Sequence, residues 1–193
     1  AHASGLEPEE FKWQYFLGRA YSQVDPTKAA STLQKTITLN SEYAPAYVYA
    51  ARALRDLGRA DEATELLESA TNVAHDPSVA LAVGQLHLAA RRYDVAHQYL
   101  TLALNADMER GETHTALSQV YLARGDHVAA TRHATLGARY FEHGRMRDPV
   151  FAEVAAAGVS LYWMQSRGKS RLQEGDYAGA LKEYSRAVDD DEI

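Results

Sequence analysis

Residues 175–187 read GDYAGALKEYSRA, a glycine-aspartate turn followed by a segment of alternating small and large side chains. In that segment Ala180, Tyr184 and Ala187 are separated by four and three residues. Such spacings place side chains on one face of an α-helix. The two alanines would let a second helix approach closely, and the tyrosine would fill the space beside them. The stretch therefore predicts a tight turn and a helix that packs against a neighbour.

The same pattern recurs along the chain: a small residue, a large residue four positions later, and a small residue three positions after that. The copies start at Ala29, Ala63, Ala96, Ala130 and Ala180, which are 34, 33, 34 and 50 residues apart. A fixed period of this length is typical of a solenoid of helix pairs, in which each unit buries its apolar face against its neighbours. The fourth copy departs from the pattern, because Ala134 stands where a large residue is usual.

A second pattern lies ahead of the first four copies. Its members are Leu17-Gly18-x2-Tyr21, Ala50-Ala51-x2-Leu54, Val83-Gly84-x2-His87 and Leu117-Ser118-x2-Tyr121. These motifs resemble helix A of the tetratricopeptide repeat (TPR) family, and the resemblance extends over about residues 11–190. It implies an all-α fold of antiparallel helix pairs wound into a right-handed superhelix. The whole resembles a segment of a larger bacterial TPR-containing protein.

The period predicts how the chain is divided. We expect a remnant of a preceding repeat at 1–10, repeats at 11–43, 44–76, 77–110 and 111–144, a helical insertion at 145–160, and a fifth repeat with an acidic end at 161–193. Helix A of the first repeat is expected over 11–24. Pro26 and the Asp76-Pro77-Ser78 sequence are expected at helix starts. Asp148 and Pro149 are likewise expected to form an N-cap and a first helical residue.

Composition excludes several functions. The net charge of −6 and a pI near 5.7 argue against a general nucleic-acid or anionic-membrane binder. The absence of cysteine excludes disulfides and cysteine catalysis, and leaves a cytoplasmic or a periplasmic location equally open. No apolar run is long enough to span a bilayer.

Catalytic and metal chemistry are not expected. The eight histidines lack the clustered spacing of a metal site, although His87 and His114 could approach each other on successive A helices. No glycine-rich phosphate loop follows a strand. We therefore expect no enzymatic activity, no cofactor and no metal.

The TPR resemblance implies which residues face a partner, because helix A lines the concave groove in that family. The positions carried over to this chain are Lys12, Tyr15, Arg19, Arg52, Arg55, Leu81, Gln85, Leu88, Gln119, Leu122 and Lys169. One column of them, Arg19, Arg52, Gln85, Gln119 and Lys169, consists of hydrogen-bond donors. Arginine suits a carboxylate because its planar fork can donate two bonds at once. The column predicts a partner segment with acidic side chains, and the leucines predict an apolar anchor.

These observations predict a protein-protein interaction scaffold that binds an extended or helical segment of a partner in its groove. Other functions stay open. The chain could self-assemble as a structural TPR protein, for example as a homodimer through exposed ends, or it could be the substrate-recruiting arm of a larger multidomain enzyme. The arginines of the column could also pair with acids of neighbouring helices instead of a partner.

Overall fold

The computed structural model describes residues 8–22, 24–104, 110–140, 148–150 and 179. Over these residues the chain forms α-helices and one 3₁₀ turn at Thr71–Val73. The helices are α1 (Pro8–Tyr21), α2 (Pro26–Leu39), α3 (Ala44–Asp56), α4 (Ala60–Glu68), α5 (Pro77–Ala89), α6 (Tyr93–Leu104), α7 (Arg110–Ala123) and α8 (His127–Tyr140). The all-α class predicted from the period is confirmed.

The chain divides into two compact units. Unit 1 comprises residues 1–58 and 148–193, and unit 2 comprises residues 59–147. In unit 1, α2 packs against both α1 and α3. In unit 2, α4 packs on α5, α5 on α6, α6 on α7, and α7 on α8. Within each unit, sequential helices are therefore neighbours in space, as a repeat of helix pairs requires.

Asp-Pro steps begin two of the helices. The carboxylate of Asp25 accepts hydrogen bonds from the backbone amides of Thr27 and Lys28, each at 3.1 Å, and Pro26 opens α2. Asp76 accepts from the backbone amide of Ser78 at 2.8 Å at the start of α5. Each aspartate satisfies amides that have no partner within the helix, and the proline has no amide to satisfy. The helix starts predicted at Pro26 and at the Asp76 sequence are confirmed.

The first helix differs from its prediction. It runs from Pro8 to Tyr21, whereas residues 11–24 were expected to be helical and residues 1–10 were expected to be a remnant. Proline is tolerated at the first helical position, so the helix can begin at Pro8. It ends early because the chain must turn before the cap at Asp25. The predicted insertion at 145–160 and the fifth repeat at 161–193 lie outside the described residues, apart from 148–150 and 179.

Three of the turns that follow helices use a left-handed backbone. Gly58 and Gly125 have φ of 76° and 79° after α3 and α7. Arg91 occupies the corresponding position after α5 with φ of 59°. Glycine reaches this region at no steric cost, whereas a residue with a Cβ does not. Arg91 is therefore a strained residue at a position that the other two turns give to glycine.

The repeated small-large-small pattern forms the core. Leu33 and Leu100, the large members of the first and third copies, have no exposed surface. Each faces a glycine of the preceding helix: a Cβ built on Gly18 would lie 2.6 Å from Leu33 Cγ, and one built on Gly84 would lie 2.7 Å from Leu100 Cγ. The glycines thus let the helices approach closely enough for the leucines to fill the space between them. Ala134 of the fourth copy is exposed, so in that copy only the two small flanking residues, Ala130 and Gly137, are buried.

Candidate protein-binding site

Helices α1 and α3 of unit 1 bring tyrosine and arginine side chains together. Tyr15 and Arg19 lie four residues apart on α1 and share a face of that helix. Tyr43 stands at the N-cap position of α3, and its ring contacts that of Tyr15 edge to face, with centroids 4.9 Å apart. Tyr49 follows within α3, with its ring centroid 6.3 Å from that of Tyr15.

These side chains bind one carboxylate, that of Asp148. The Arg19 Nη1 group donates to Asp148 Oδ2 at 2.9 Å, and the Tyr15 hydroxyl donates to the same oxygen. The Tyr43 hydroxyl donates to Asp148 Oδ1 at 2.6 Å. Arg19 Nη1 also donates to the Tyr15 hydroxyl oxygen at 3.0 Å, which joins the donors to one another. We call Tyr15, Arg19 and Tyr43 the carboxylate pocket.

The pocket is mostly shielded from water. The Arg19 and Asp148 side chains are 20% and 11% exposed. Burial, followed by the nearby Asp148 carboxylate, raises the pKa of Tyr43 far above its usual range. Burial also raises the pKa of Tyr15; the Asp148 carboxylate adds to this effect, and the Arg19 charge opposes it only in part. Both hydroxyls therefore keep their protons and act as donors. A buried carboxylate needs such donors to replace its lost hydration.

An aromatic surface holds the arginine of the pocket in place. The Arg19 guanidinium carbon lies 3.7 Å from the ring centroid of Tyr49, and that of Arg52 lies 5.3 Å from the same centroid. A cation over an aromatic face is attracted by the ring's quadrupole. Tyr49 therefore orients Arg19 toward the carboxylate and brings Arg52 close to the pocket.

The predicted contact residues of unit 1 fall into different environments. Tyr15 and Arg19 form the pocket with Tyr43, and Arg52 borders it. Lys12 is half-buried on α1. Arg55 is exposed and donates to the Asp56 carboxylate from Nε and Nη2 at 3.4 and 3.3 Å. Lys169 lies outside the described residues.

The predicted contacts of unit 2 are also divided. Leu81 is 2% exposed and packs in the core with Leu100 and Leu117, so it stabilises the helix pairs and offers no accessible surface. Leu88 is partly buried against the same core. Gln85 is likewise half-buried on α5, Gln119 is exposed on α7, and Leu122 of α7 is 57% exposed. Of the three leucines expected to form an apolar anchor, Leu122 is the one with a largely exposed side chain.

Sequence reasoning missed Tyr43, Tyr49 and the role of Asp148. The tyrosine-rich stretch 43–49 is the signal that could have indicated an aromatic surface on α3. Asp148 was expected to cap a helix, and Pro149 does begin helical backbone. Its carboxylate, however, binds residues that lie 133, 129 and 105 positions earlier in the chain. No local pattern encodes a contact over such a distance.

Histidines of unit 2 make contacts with other side chains. The Nδ1 atoms of His114 and His133 lie 2.9 Å apart, and His97 Nε2 lies 2.9 Å from the Tyr121 hydroxyl. His87, which we expected to approach His114, lies with Nε2 3.1 Å from a carboxylate oxygen of Glu68. Within the described ranges no group of three histidine or acidic side chains is arranged to bind a metal ion. Likewise, the helices described are all too short or too polar to cross a bilayer.

Comparison with known proteins places these helices in a family context. A family model described as tetratricopeptide repeat matches residues 20–86. The crystal structure of MamA resembles the chain with a TM-score of 0.58 and 17% identity, over 70% of this chain and 81% of that one. The crystal structure of the APC/C hetero-tetramer Cut9-Hcn1 gives a TM-score of 0.61 and 18% identity over 91% of this chain. This chain spans only 32% of that second protein's length. No curated protein matches by sequence. At these identities the structural likeness shows the fold alone.

Proposed function

We propose that this chain, whose residues 20–86 match the tetratricopeptide repeat model, is a protein-interaction module whose carboxylate pocket binds an acidic side chain of a partner segment. Helix-pair repeats of this kind present extended surfaces to other proteins. The observation that supports the proposal is the convergence of Tyr15, Arg19 and Tyr43 on a single carboxylate. Three donors, one of them cationic, form a receptor for an acid.

The chemistry of the pocket favours a carboxylate over a neutral side chain. A hydrogen bond to a charged group contributes roughly 1.5–3 kcal/mol, about twice the value for a neutral pair. A neutral amide in the same place would leave the Arg19 charge without a counter-ion in a site that is largely closed to water. Arg52, beside Tyr49, adds a second cation at the edge of the pocket. An acidic residue followed or preceded by another acid would place negative charge beside both arginines.

The remaining predicted contacts extend this proposal beyond the pocket. We include the half-buried or exposed members of the set, together with the one outside the described residues. They are Lys12, Arg55, Gln85, Leu88, Gln119, Leu122 and Lys169. Each of these residues would contact a partner within its own unit, with donors for carbonyl groups and Leu122 for an apolar side chain.

Selection of peptides from a random display library tests the proposal. Selection on the wild-type chain is expected to enrich Asp or Glu at one fixed position. The Arg19→Gln variant should lose these peptides, because it removes the cation of the pocket. Arg59→Gln is the matched control, since Arg59 is exposed and pairs only locally with Glu62. Both variants are first compared with the wild type by circular dichroism.

Two results would contradict the proposal. Enriched peptides that lack an acid, or that bind Arg19→Gln as tightly as the wild type, would remove the carboxylate pocket as the binding site. A molecular mass in sedimentation that rises with protein concentration, and that Arg19→Gln leaves unchanged, would favour the self-assembling alternative.

A further inference from the structure

The carboxylate pocket is filled by a residue of the same chain. We propose that Asp148–Val150 is a resident ligand of the pocket, and that an acidic partner segment binds by displacing it. This inference rests on the proposed function, because it concerns how the same pocket is regulated. It also defines the chemistry of the partner segment, since a competitor must satisfy the donors that Asp148 satisfies.

The three residues of the segment differ in their contacts and in their exposure. Both carboxylate oxygens of Asp148 accept hydrogen bonds, one from Tyr43 and the other from Arg19 and Tyr15. Val150 is 3% exposed, whereas Pro149 is exposed. The bound pattern is therefore an acid, an outward-facing residue and a buried aliphatic residue.

The repeat pattern does not require this contact. The helix crossing in unit 1 is built from Gly18 and Leu33, which face each other directly. Removal of the Asp148 carboxylate should therefore open the pocket and leave the α1–α2 core in place. Because the segment belongs to the same chain, its effective concentration at the pocket can reach the millimolar range. A partner therefore binds with its intrinsic affinity multiplied by the fraction of molecules in which the pocket is open.

Peptide binding to full-length variants tests the inference. The probe is a fluorescein-labelled peptide with the sequence of residues 146–153, MRDPVFAE. Its affinity for the wild type, Asp148→Asn and Asp148→Glu is measured by fluorescence anisotropy. Loss of one charged hydrogen-bonding group predicts that Asp148→Asn binds the peptide roughly 10-fold or more tightly than the wild type. Asp148→Glu keeps the charge and should stay nearer the wild type. A probe carrying the D148N change should bind weakly to every variant.

The outcomes separate this inference from the proposed function. Equal affinity of the wild type and folded Asp148→Asn would overturn the resident ligand and leave the pocket as a partner site. Absence of binding to folded Asp148→Asn would overturn both. Tighter binding together with a peptide-induced change from dimer to monomer would overturn the intramolecular contact in favour of exchange between two copies.

A measurement on the wild type covers the case in which Asp148→Asn does not fold. Saturating peptide should accelerate hydrogen exchange at the Val150 amide, because displacement exposes a residue that is 3% exposed while the segment is bound. Amides within α1 and α2 should keep their protection. Unchanged exchange at Val150 with peptide bound would overturn the inference.

Discussion

Replacing Gly84 by alanine tests the helix packing on which the fold depends. A Cβ at this position would lie 2.7 Å from Leu100 Cγ, 2.8 Å from Leu100 Cδ2 and 3.3 Å from the Leu100 backbone nitrogen. Real Cβ atoms essentially never approach another atom closer than 3.0 Å. Leu100 has no exposed surface and is enclosed by Leu81 and Leu117, so its side chain has no free space to enter. Either α5 or α6 must therefore move.

Two opposing effects determine how much Gly84→Ala changes the free energy of unfolding. Alanine in a helix interior is more favourable than glycine by about 1 kcal/mol. An extra methyl group in a filled core costs about 1–3 kcal/mol. The expected net result is a loss of about 1 kcal/mol in the free energy of unfolding. For a chain of this size the melting temperature should fall by about 2–4 °C.

A double-mutant cycle with Leu100→Ala isolates the clash. Leu100→Ala alone should cost about 2–5 kcal/mol, because it removes a fully buried side chain. In its background Gly84→Ala should become neutral or stabilising, which gives a favourable coupling of about 1–3 kcal/mol in urea unfolding followed by circular dichroism. Gly18→Ala repeats the test, since its Cβ would meet Leu33 Cγ at 2.6 Å. If Gly84→Ala stabilised the wild-type chain by the full helix preference, the packing of α5 on α6 would be refuted.

Three further perturbations test other parts of the chain by the same unfolding assay. Ala96→Leu should cost about 1–3 kcal/mol, because Ala96 is fully buried in the core of unit 2 and its helix crossing has no room for a larger side chain. Arg91→Gly should raise the free energy of unfolding by about 0.5–1 kcal/mol, since it relieves a left-handed residue at φ of 59°. Burial, and then the charges of Arg132 and His97, lower the pKa of His133 below its usual 6.5. The folded state therefore favours neutral His133, and stability should fall as the pH drops below about 6.5, less so in His133→Gln.

Each of these has a contrary result. Unchanged unfolding of Ala96→Leu would place Ala96 away from a helix crossing. If Arg91→Gly lowered the free energy of unfolding by more than the entropy cost of a glycine, the Arg91 side chain would stabilise the fold by more than its backbone strain destabilises it. A pH dependence that is identical in the wild type and in His133→Gln would assign the acid sensitivity to other groups.

The core could be predicted from the sequence because it follows from short spacings. In the four described copies the positions four and three residues apart that indicated one helical face are buried, as Leu33 and Leu100 demonstrate, with Ala134 as the exception. The boundaries of α1 could not be predicted in this way. The packing pattern fixes which residues face inward, but it does not determine how far a helix continues beyond them, and Pro8 can begin a helix without losing a hydrogen bond.

The site could be predicted only in part, for a related reason. Tyr15, Arg19 and Arg52 were predicted from their positions along helix A of the repeat, although Tyr15 has no exposed surface. Tyr43 and Tyr49 complete the site through contacts between different helices, with Tyr43 5.4 Å from Phe11 and 4.9 Å from Tyr15 between ring centroids. Such contacts depend on how α1 and α3 meet in three dimensions, which spacing along one helix does not specify.

The three Asp-Pro steps of the chain differ in the groups that their aspartate carboxylates bind. At Asp25 and Asp76 the carboxylate binds amides of the helix that it precedes. At Asp148 the dipeptide again precedes helical backbone, yet the carboxylate binds two tyrosines and an arginine on distant helices. The dipeptide is the same in all three cases, so the difference must come from the surroundings. Asp25 and Asp76 bind groups of the helix that follows them, whereas Asp148 meets the charged and hydroxyl donors of the carboxylate pocket. An aspartate at the start of a helix in a partner segment could likewise bind either the amides of its own helix or the donors of the carboxylate pocket.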